Sequence, residues 1–181
     1  MKRHTATLLL ALLVAAATGS ATTVVPMSVE RLTAASEHVL EARALESWSQ
    51  WDASHSMIFT YTRFQVLRAL KGSATQTVVV KQMGGRASGY VMKVAGVRHW
   101  RPGDEAVLFL RRSQADDGTL VVTGLLQGNF KIERTGTEPA VTNGASGARR
   151  FDPESKSVAP FQGKRMTLSE LESRVQEAVR R

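Results

Sequence analysis

Three histidines follow the first two dozen residues of this chain: His38, His55 and His99. None stands four residues from another and no H-E-x-x-H occurs, so the helical spacing that sets two imidazoles on one zinc ion is missing. His38 and Glu41 are the nearest ligand-like pair, but residues three apart on a strand face opposite sides. No G-x-S-x-G turn is present to raise an activated serine. The acidic pairs Asp104-Glu105 and Asp116-Asp117 stand beside Pro102-Gly103 and Gly118, where turn chemistry accounts for them. Asp116-Asp117-Gly118 also lacks the spaced acids of a calcium loop. No catalytic residue, metal ligand or cofactor is therefore assigned. The glycine-rich run 84–89 lacks both the G-x-G-x-x-G spacing and the Gly-Lys-Ser/Thr ending of a phosphate loop, although its Arg86 is free to face an anionic ligand.

The candidate ligand-binding residues are Trp48, Trp51, Arg86 and Trp100. Trp48 and Trp51 lie in a segment, 48–56, that is otherwise polar and reads as a loop between two strands. At the rim of a small barrel, such aromatics stack on sugars or bases. Alternatively they cap the barrel end, packing on each other or on Trp100. Tyr61, Phe64, Tyr90 and Trp100 interleave with Arg63, Arg68, Lys81, Arg86, Lys93, Arg98 and Arg101. A nucleic-acid face needs that mixture, and so does a basic barrel whose strands are half solvated.

The start of the chain favours the second reading. Lys2 and Arg3 precede an apolar stretch over 6–17, and the small residues Thr18-Gly19-Ser20-Ala21 follow. This is the pattern of a secretory signal peptide, with cleavage expected after Ala21. The apolar core is shorter than the roughly 20 residues of a membrane-spanning helix. No cysteine follows it to carry a lipid. An exported protein is not expected to meet nucleic acid. The chain has 24 Lys and Arg against 16 Asp and Glu. Two of those bases lie in the leader, so the mature chain keeps a moderate positive excess, which suits an anionic envelope component or an exported protein as partner. With no cysteine at all, the exported domain must be held by packing rather than disulfides.

The elements that position these residues follow from periodicity. Ser28 reads as the N-cap of a short helix over 28–37, and residues 38–45 read as a strand. Residues 58–70, rich in aromatic and β-branched types, form a long strand of the kind that bends around a small barrel. Further strands are expected at 77–81, 90–94, 105–111, 119–126 and 130–133, with 140–142 pairing to the last. Residues 136–163 are poor in large apolar side chains and read as a mobile loop. Thr167, Glu170, Met166 and Leu171 signal a capped and stapled helix over 167–181. Its apolar face of Leu168, Leu171, Val175, Ala178 and Val179 is expected to pack on the barrel.

The stretches SVERLTAASEHVLEARAL, FTYTRFQVLRALKGS, QMGGR and RPGDEAVLFL together resemble a group of uncharacterised bacterial exported proteins. The same order is similar to the netrin-like domain, as in tissue inhibitors of metalloproteinases, an OB-type barrel with flanking helices. The resemblance implies a mainly β fold: an OB-like, netrin-like small barrel over 22–135, with a short N-terminal helix and a C-terminal helix packed on it. Residues 136–166 would be a flexible loop or irregular hairpin of the same domain. The inhibitors present an N-terminal cysteine to zinc, and this chain has none, so their chemistry is not implied. The expectation is a non-catalytic binding module of the periplasm or medium. The alternative is an inhibitor or accessory partner of an exported peptidase. A third reading, an envelope hydrolase, requires a histidine and a carboxylate converging in a cleft.

Overall fold

The structure is a computed structural model that describes residues 23–73, 75–115, 117–144 and 148–181. The expected leader lies outside them. Five consecutive side chains, Ala106 to Leu110, are buried in strand β7 (Glu105–Arg112). A strand with one wet face would alternate, so both faces of β7 must be covered. On one side Ala106, Leu108 and Leu110 join Leu40, Ala42, Ala44, Phe64, Val80 and Trp100 inside a barrel. On the other, Val107 and Phe109 meet Phe130 and Ile132, and two helices close over them with Val29, Leu32, Leu168, Leu171 and Val175.

The chain enters through β1 (Thr23–Val24), helix α1 (Val29–Ala34), β2 (His38–Trp51), β3 (Ile58–Lys71) and β4 (Thr77–Met83). A small hairpin, β5 (Gly85–Ala87) and β6 (Tyr90–Met92), precedes β7. Then come β8 (Leu120–Val122), a 3₁₀ turn over Leu125–Gly128 and β9 (Asn129–Glu133). The last elements are β10 (Ala140–Thr142), β11 (Arg149–Asp152), β12 (Ser157–Pro160), β13 (Arg165–Thr167) and helix α2 (Leu168–Arg180). Strands β7, β2, β3, β4 and β8 close a five-stranded ring. All its pairings are antiparallel except β4 with β8. This is an OB-like barrel, as expected. Strands β9, β10 and β13 extend the sheet outward from β7 and carry α2.

Two sequence motifs turn out to be structural pins. Lys71 Nζ donates to the carbonyls of Thr33 (2.6 Å) and Ser36 (2.7 Å), capping the end of α1. Gly72 follows at φ 73, and a Cβ there would come within 2.5 Å of the Glu37 carbonyl. In the 101–104 turn, Asp104 Oδ2 accepts from the Arg101 N–H (2.8 Å). Backbone bonds from Gly103 to Ala44 and from Ala44 to Asp104 fix the β2 irregularity between Ala44 and Glu46. Charges form a third pin: Glu172, Arg68, Glu41, Arg134, Glu105 and Arg43 alternate in one chain across α2, β3, β2, β7 and the residue after β9.

Two expectations need correction, and a third had two readings. Strand β2 runs to Trp51 rather than ending at Leu45, because its outer half pairs with Ile58–Thr62 beyond the barrel. Of the two readings of 136–166, loop or irregular hairpin, the described part takes the hairpin, and 140–142 pairs with β9 as expected. That part holds β10 and the start of β13, and the β11–β12 hairpin pairs in parallel with β1 over a small cluster of Val24, Leu126 and Ala148. The strand expected over 119–126 stops at Val122, because Gly124 and Leu125 both take positive φ (66 and 57). For a leucine that conformation costs about 1–2 kcal/mol. Helix α2 begins as expected, with Thr167 Oγ1 accepting from the Glu170 N–H (3.1 Å), although Val179 is exposed.

Phe109 is fully buried, 5.7 Å from the Phe130 ring centroid. Phe109→Ala is expected to lower unfolding stability by roughly 3–5 kcal/mol in urea titrations. A change under 1 kcal/mol would mean that the outer core contributes little. Acid should also weaken the fold. Burial alone would raise the Glu105 carboxyl, but hydrogen bonds from Arg43 and Arg134 outweigh it and hold it below the usual range. Burial likewise opposes ionisation of Glu30, and its own backbone N–H, Ser28 and Arg174 bring it down to about 2. Depressed carboxyls stabilise fully above the ordinary carboxylate range, and that stabilisation fades as pH falls through it towards the folded values. The urea midpoint is expected to be lower at pH 3 than at pH 7, and less so in Glu30→Gln. Equal midpoints at both pH values would contradict these assignments.

Candidate functional site

Beyond the Ala44/Glu46 irregularity, β2 and β3 run on as a paired ribbon, with β4 alongside β3 as far as Met83. Its rungs are Ser47 with Thr62, Trp48 with Tyr61, Ser49 with Thr60, Gln50 with Phe59 and Trp51 with Ile58. Its tip, 52–57, is tied by Asp52. The carboxylate accepts from the Ser54 and Ser56 hydroxyls and from the Ser56 and Met57 N–H groups, and those bonds hold it well below its usual range. Strand alternation then separates the two tryptophans. Trp48 and Trp51 emerge on opposite faces, and neither packs on the other or on Trp100. Each has its own partners.

On the first face, Trp48 stacks on Tyr61 at 5.7 Å between centroids and 12° between planes. The Arg63 guanidinium lies 5.8 Å from the Trp48 ring. Lys81 Nζ lies 4.6 Å from the Phe59 ring and 5.6 Å from Tyr61. Cations and rings alternate, and each such contact contributes about 0.5–1 kcal/mol at an exposed site. Both cations also have an acid, Glu46 for Arg63 (2.5 Å) and Asp117 for Lys81 (3.0 Å). The ladder satisfies its own ring faces and its own charges.

The second face is different. Here the β5–β6 hairpin lies flat across the ribbon, and Gly84-Gly85 makes that approach possible. The Gly84 N–H donates to the Ile58 carbonyl (2.7 Å), and the Gly84 carbonyl accepts from Thr60 Oγ1 (2.7 Å). A Cβ on Gly85, at φ 139, would come within 2.3 Å of Thr60 Oγ1 and 2.5 Å of Ser49 Oγ. Between the hairpin, the chain at 93–97 and the ribbon runs a groove of about 700 Å³. Ser47 and Ser49 line its ribbon side, and Arg86, Lys93 and His99 are its titratable groups. Among the described residues no acid lines it. Arg86 and Lys93 are exposed, and neither makes an ion pair among the described residues. His99 Nε2 sits 3.1 Å from the Met83 carbonyl, so that nitrogen carries the proton. Trp51 meets Tyr90 edge to face at 5.6 Å, and Tyr90 is 65% exposed, so the hairpin carries an aromatic rim.

Of the four residues expected to bind ligand, Arg86 and Trp100 line this groove. Trp51 stands beside it through Tyr90, and Trp48 belongs to the opposite face. Trp100 enters as floor rather than as a free platform. It is 3% exposed, its N–H donates to Asn129 Oδ1 (3.2 Å), and its ring meets Phe64 edge to face at 4.9 Å. Sequence reading did not place Ser47, Ser49 or His99 here. The available signal was the glycine pair, whose lack of Cβ marks a close backbone approach without saying to what. Phe64, grouped by sequence with the surface aromatics, is fully buried in the barrel.

Among the described residues no three His, Asp or Glu side chains gather as a metal site would require, and no helix is long and apolar enough to cross a membrane. Comparison with known proteins finds no family model and no curated relative that matches the chain.

Gly85→Val is expected to lift the hairpin off the ribbon. It should lower the thermal midpoint, with an overpacking cost of about 1–3 kcal/mol, and shift tryptophan emission to longer wavelength as Trp51 loses Tyr90. An unchanged midpoint and spectrum would show that the hairpin does not depend on this contact.

Proposed function

We propose that this chain is an exported, non-catalytic binding module that holds an anionic ligand in the groove between the β2–β3 ribbon and the β5–β6 hairpin. One observation carries the reading: Arg86 and Lys93 border a concave surface that no acid lines among the described residues. Elsewhere on the barrel, Arg43, Arg63, Arg68, Lys81 and Arg134 each have a carboxylate. A cation left without its own partner above a groove costs little in water and attracts a negatively charged ligand. Seryl hydroxyls and an aromatic rim suit a polyhydroxylated anion, such as an acidic glycan of the envelope. The leader supports delivery to that compartment, and the netrin-like strand order is compatible with a binding role.

The peptidase-inhibitor alternative draws less support. Thr23 and Val24, close to the expected mature start, are paired with Arg149 and Arg150, and Val24 is buried. Such a segment suits packing better than entry into an enzyme cleft. For a hydrolase, the histidines are engaged separately. His38 abuts the Gly72 turn, His55 packs on Trp51 and His99 faces Met83.

The purified exported protein is expected to bind sulfated dextran and not uncharged dextran, with affinity falling steeply as salt rises. The double variant Arg86→Gln/Lys93→Gln should weaken binding by about tenfold, roughly 1.4 kcal/mol. Arg149→Gln/Arg150→Gln, which removes the same charge elsewhere, should leave it nearly unchanged. Equal losses in the two double variants, or no binding by the wild type, would overturn the reading.

A further inference from the structure

The barrel is least closed between β4 and β8. The two strands share a single register pair, Val80 with Leu120. Beyond it β4 continues to Met83, paired with β3 on one edge only. The other edge opens on a crevice of about 360 Å³, within the size range of ligand sites. Its apolar walls are Phe59, Met83, Val97, Val121, Val122 and Leu125. Val97 is also a wall of the basic groove, so the two sites lie on either side of one stretch of chain.

Three further observations set the crevice apart from a packing gap. Leu125 holds a left-handed backbone, φ 57, with its side chain 37% exposed at the wall. The crossing from β8 to β9 accounts for the turn itself, but not for a leucine, rather than a glycine, at its strained and partly exposed position. Gln82 lines the crevice and its Oε1 is buried without a hydrogen-bond partner, so a ligand N–H would reward that side chain for turning towards the crevice. Arg111 lines it too, exposed and without an ion pair among the described residues. Lys81 beside it is already answered by Asp117, whose carboxyl is held to about 2, first by the Thr119 hydroxyl and then by Lys81.

We infer that this crevice binds an extended acidic-apolar peptide segment of a partner protein. The segment adds alongside the open edge of β4 and seats one apolar side chain between Met83, Val121 and Leu125. It donates an N–H to Gln82 Oε1 as that side chain turns outward, and sets a carboxylate against Arg111. An apolar small molecule would leave Gln82 and Arg111 unanswered, and a bare anion would leave the apolar walls wet. Only a strand with both features uses the edge, the wall, the carbonyl and the cation together.

The test is a titration of the isotope-labelled protein with the blocked tetrapeptide acetyl-Val-Leu-Asp-Val-amide. Amide signals of Gln82, Met83, Val121 and Leu125 are expected to shift. The Asn-for-Asp peptide, and Arg111→Gln with the original peptide, should each bind about tenfold more weakly. Leu125→Gly relieves the backbone strain while removing the wall, so it should fold at least as well and still lose binding. Arg86→Gln/Lys93→Gln should bind the peptide as the wild type does, which separates this site from the groove. Absence of shifts at millimolar peptide, shifts centred elsewhere, or equal affinity for the two peptides would overturn the inference.

Discussion

Strand β7 can be wetted on neither face, and the rest of the molecule is arranged to meet that constraint. Its inward residues Ala106, Leu108 and Leu110 require a closed barrel. Its outward residues Val107 and Phe109 require the two helices and the β9–β10 extension. One edge pairs with β2, and the other is shared between β8 and β9. The interruption at Gly124 and Leu125 follows, because the chain must leave the barrel edge at Val122 and regain β7 at Asn129. The strained leucine and the short β4–β8 seam are therefore local consequences of a strand that serves two layers at once.

Much of this framework was legible because it depends on local chemistry. The run EAVLFLR announces a strongly apolar strand, Thr167 and Glu170 announce the start of α2, and the Lys71-Gly72 and 101–104 motifs announce turns. The structure adds what those turns hold: the end of α1 in one case and the β2 irregularity in the other. The misplaced elements share a physical cause. The outer half of β2 is polar because it runs past the core and stays mostly exposed, and polar strands are hard to distinguish from loops. The β11–β12 hairpin is charged and polar because it covers only a small cluster of Val24, Leu126 and Ala148.

The candidate site was legible in kind and not in arrangement. Tryptophans spaced three apart were read as platforms at a binding rim or as a packed cap, but strand alternation sends them to opposite faces. Arg86 was singled out as an available cation, whereas its setting depends on a hairpin folded over Ser49 and Thr60, a tertiary contact with no local signature. Charge pairing then distinguishes the two faces of the ribbon. The Trp48 ladder carries its own cations and acids and is complete in itself. The groove behind it has cations without acids and has capacity left over for a ligand.

That contrast is tested most directly by mapping where a bound polyanion perturbs the backbone amides. Binding in the groove predicts shifts concentrated at Gly85–Ala87, Tyr90–Met92, Lys93 and His99, together with Ser47 and Ser49. Shifts centred instead on Phe59, Tyr61 and Lys81, with the groove residues unmoved, would contradict it.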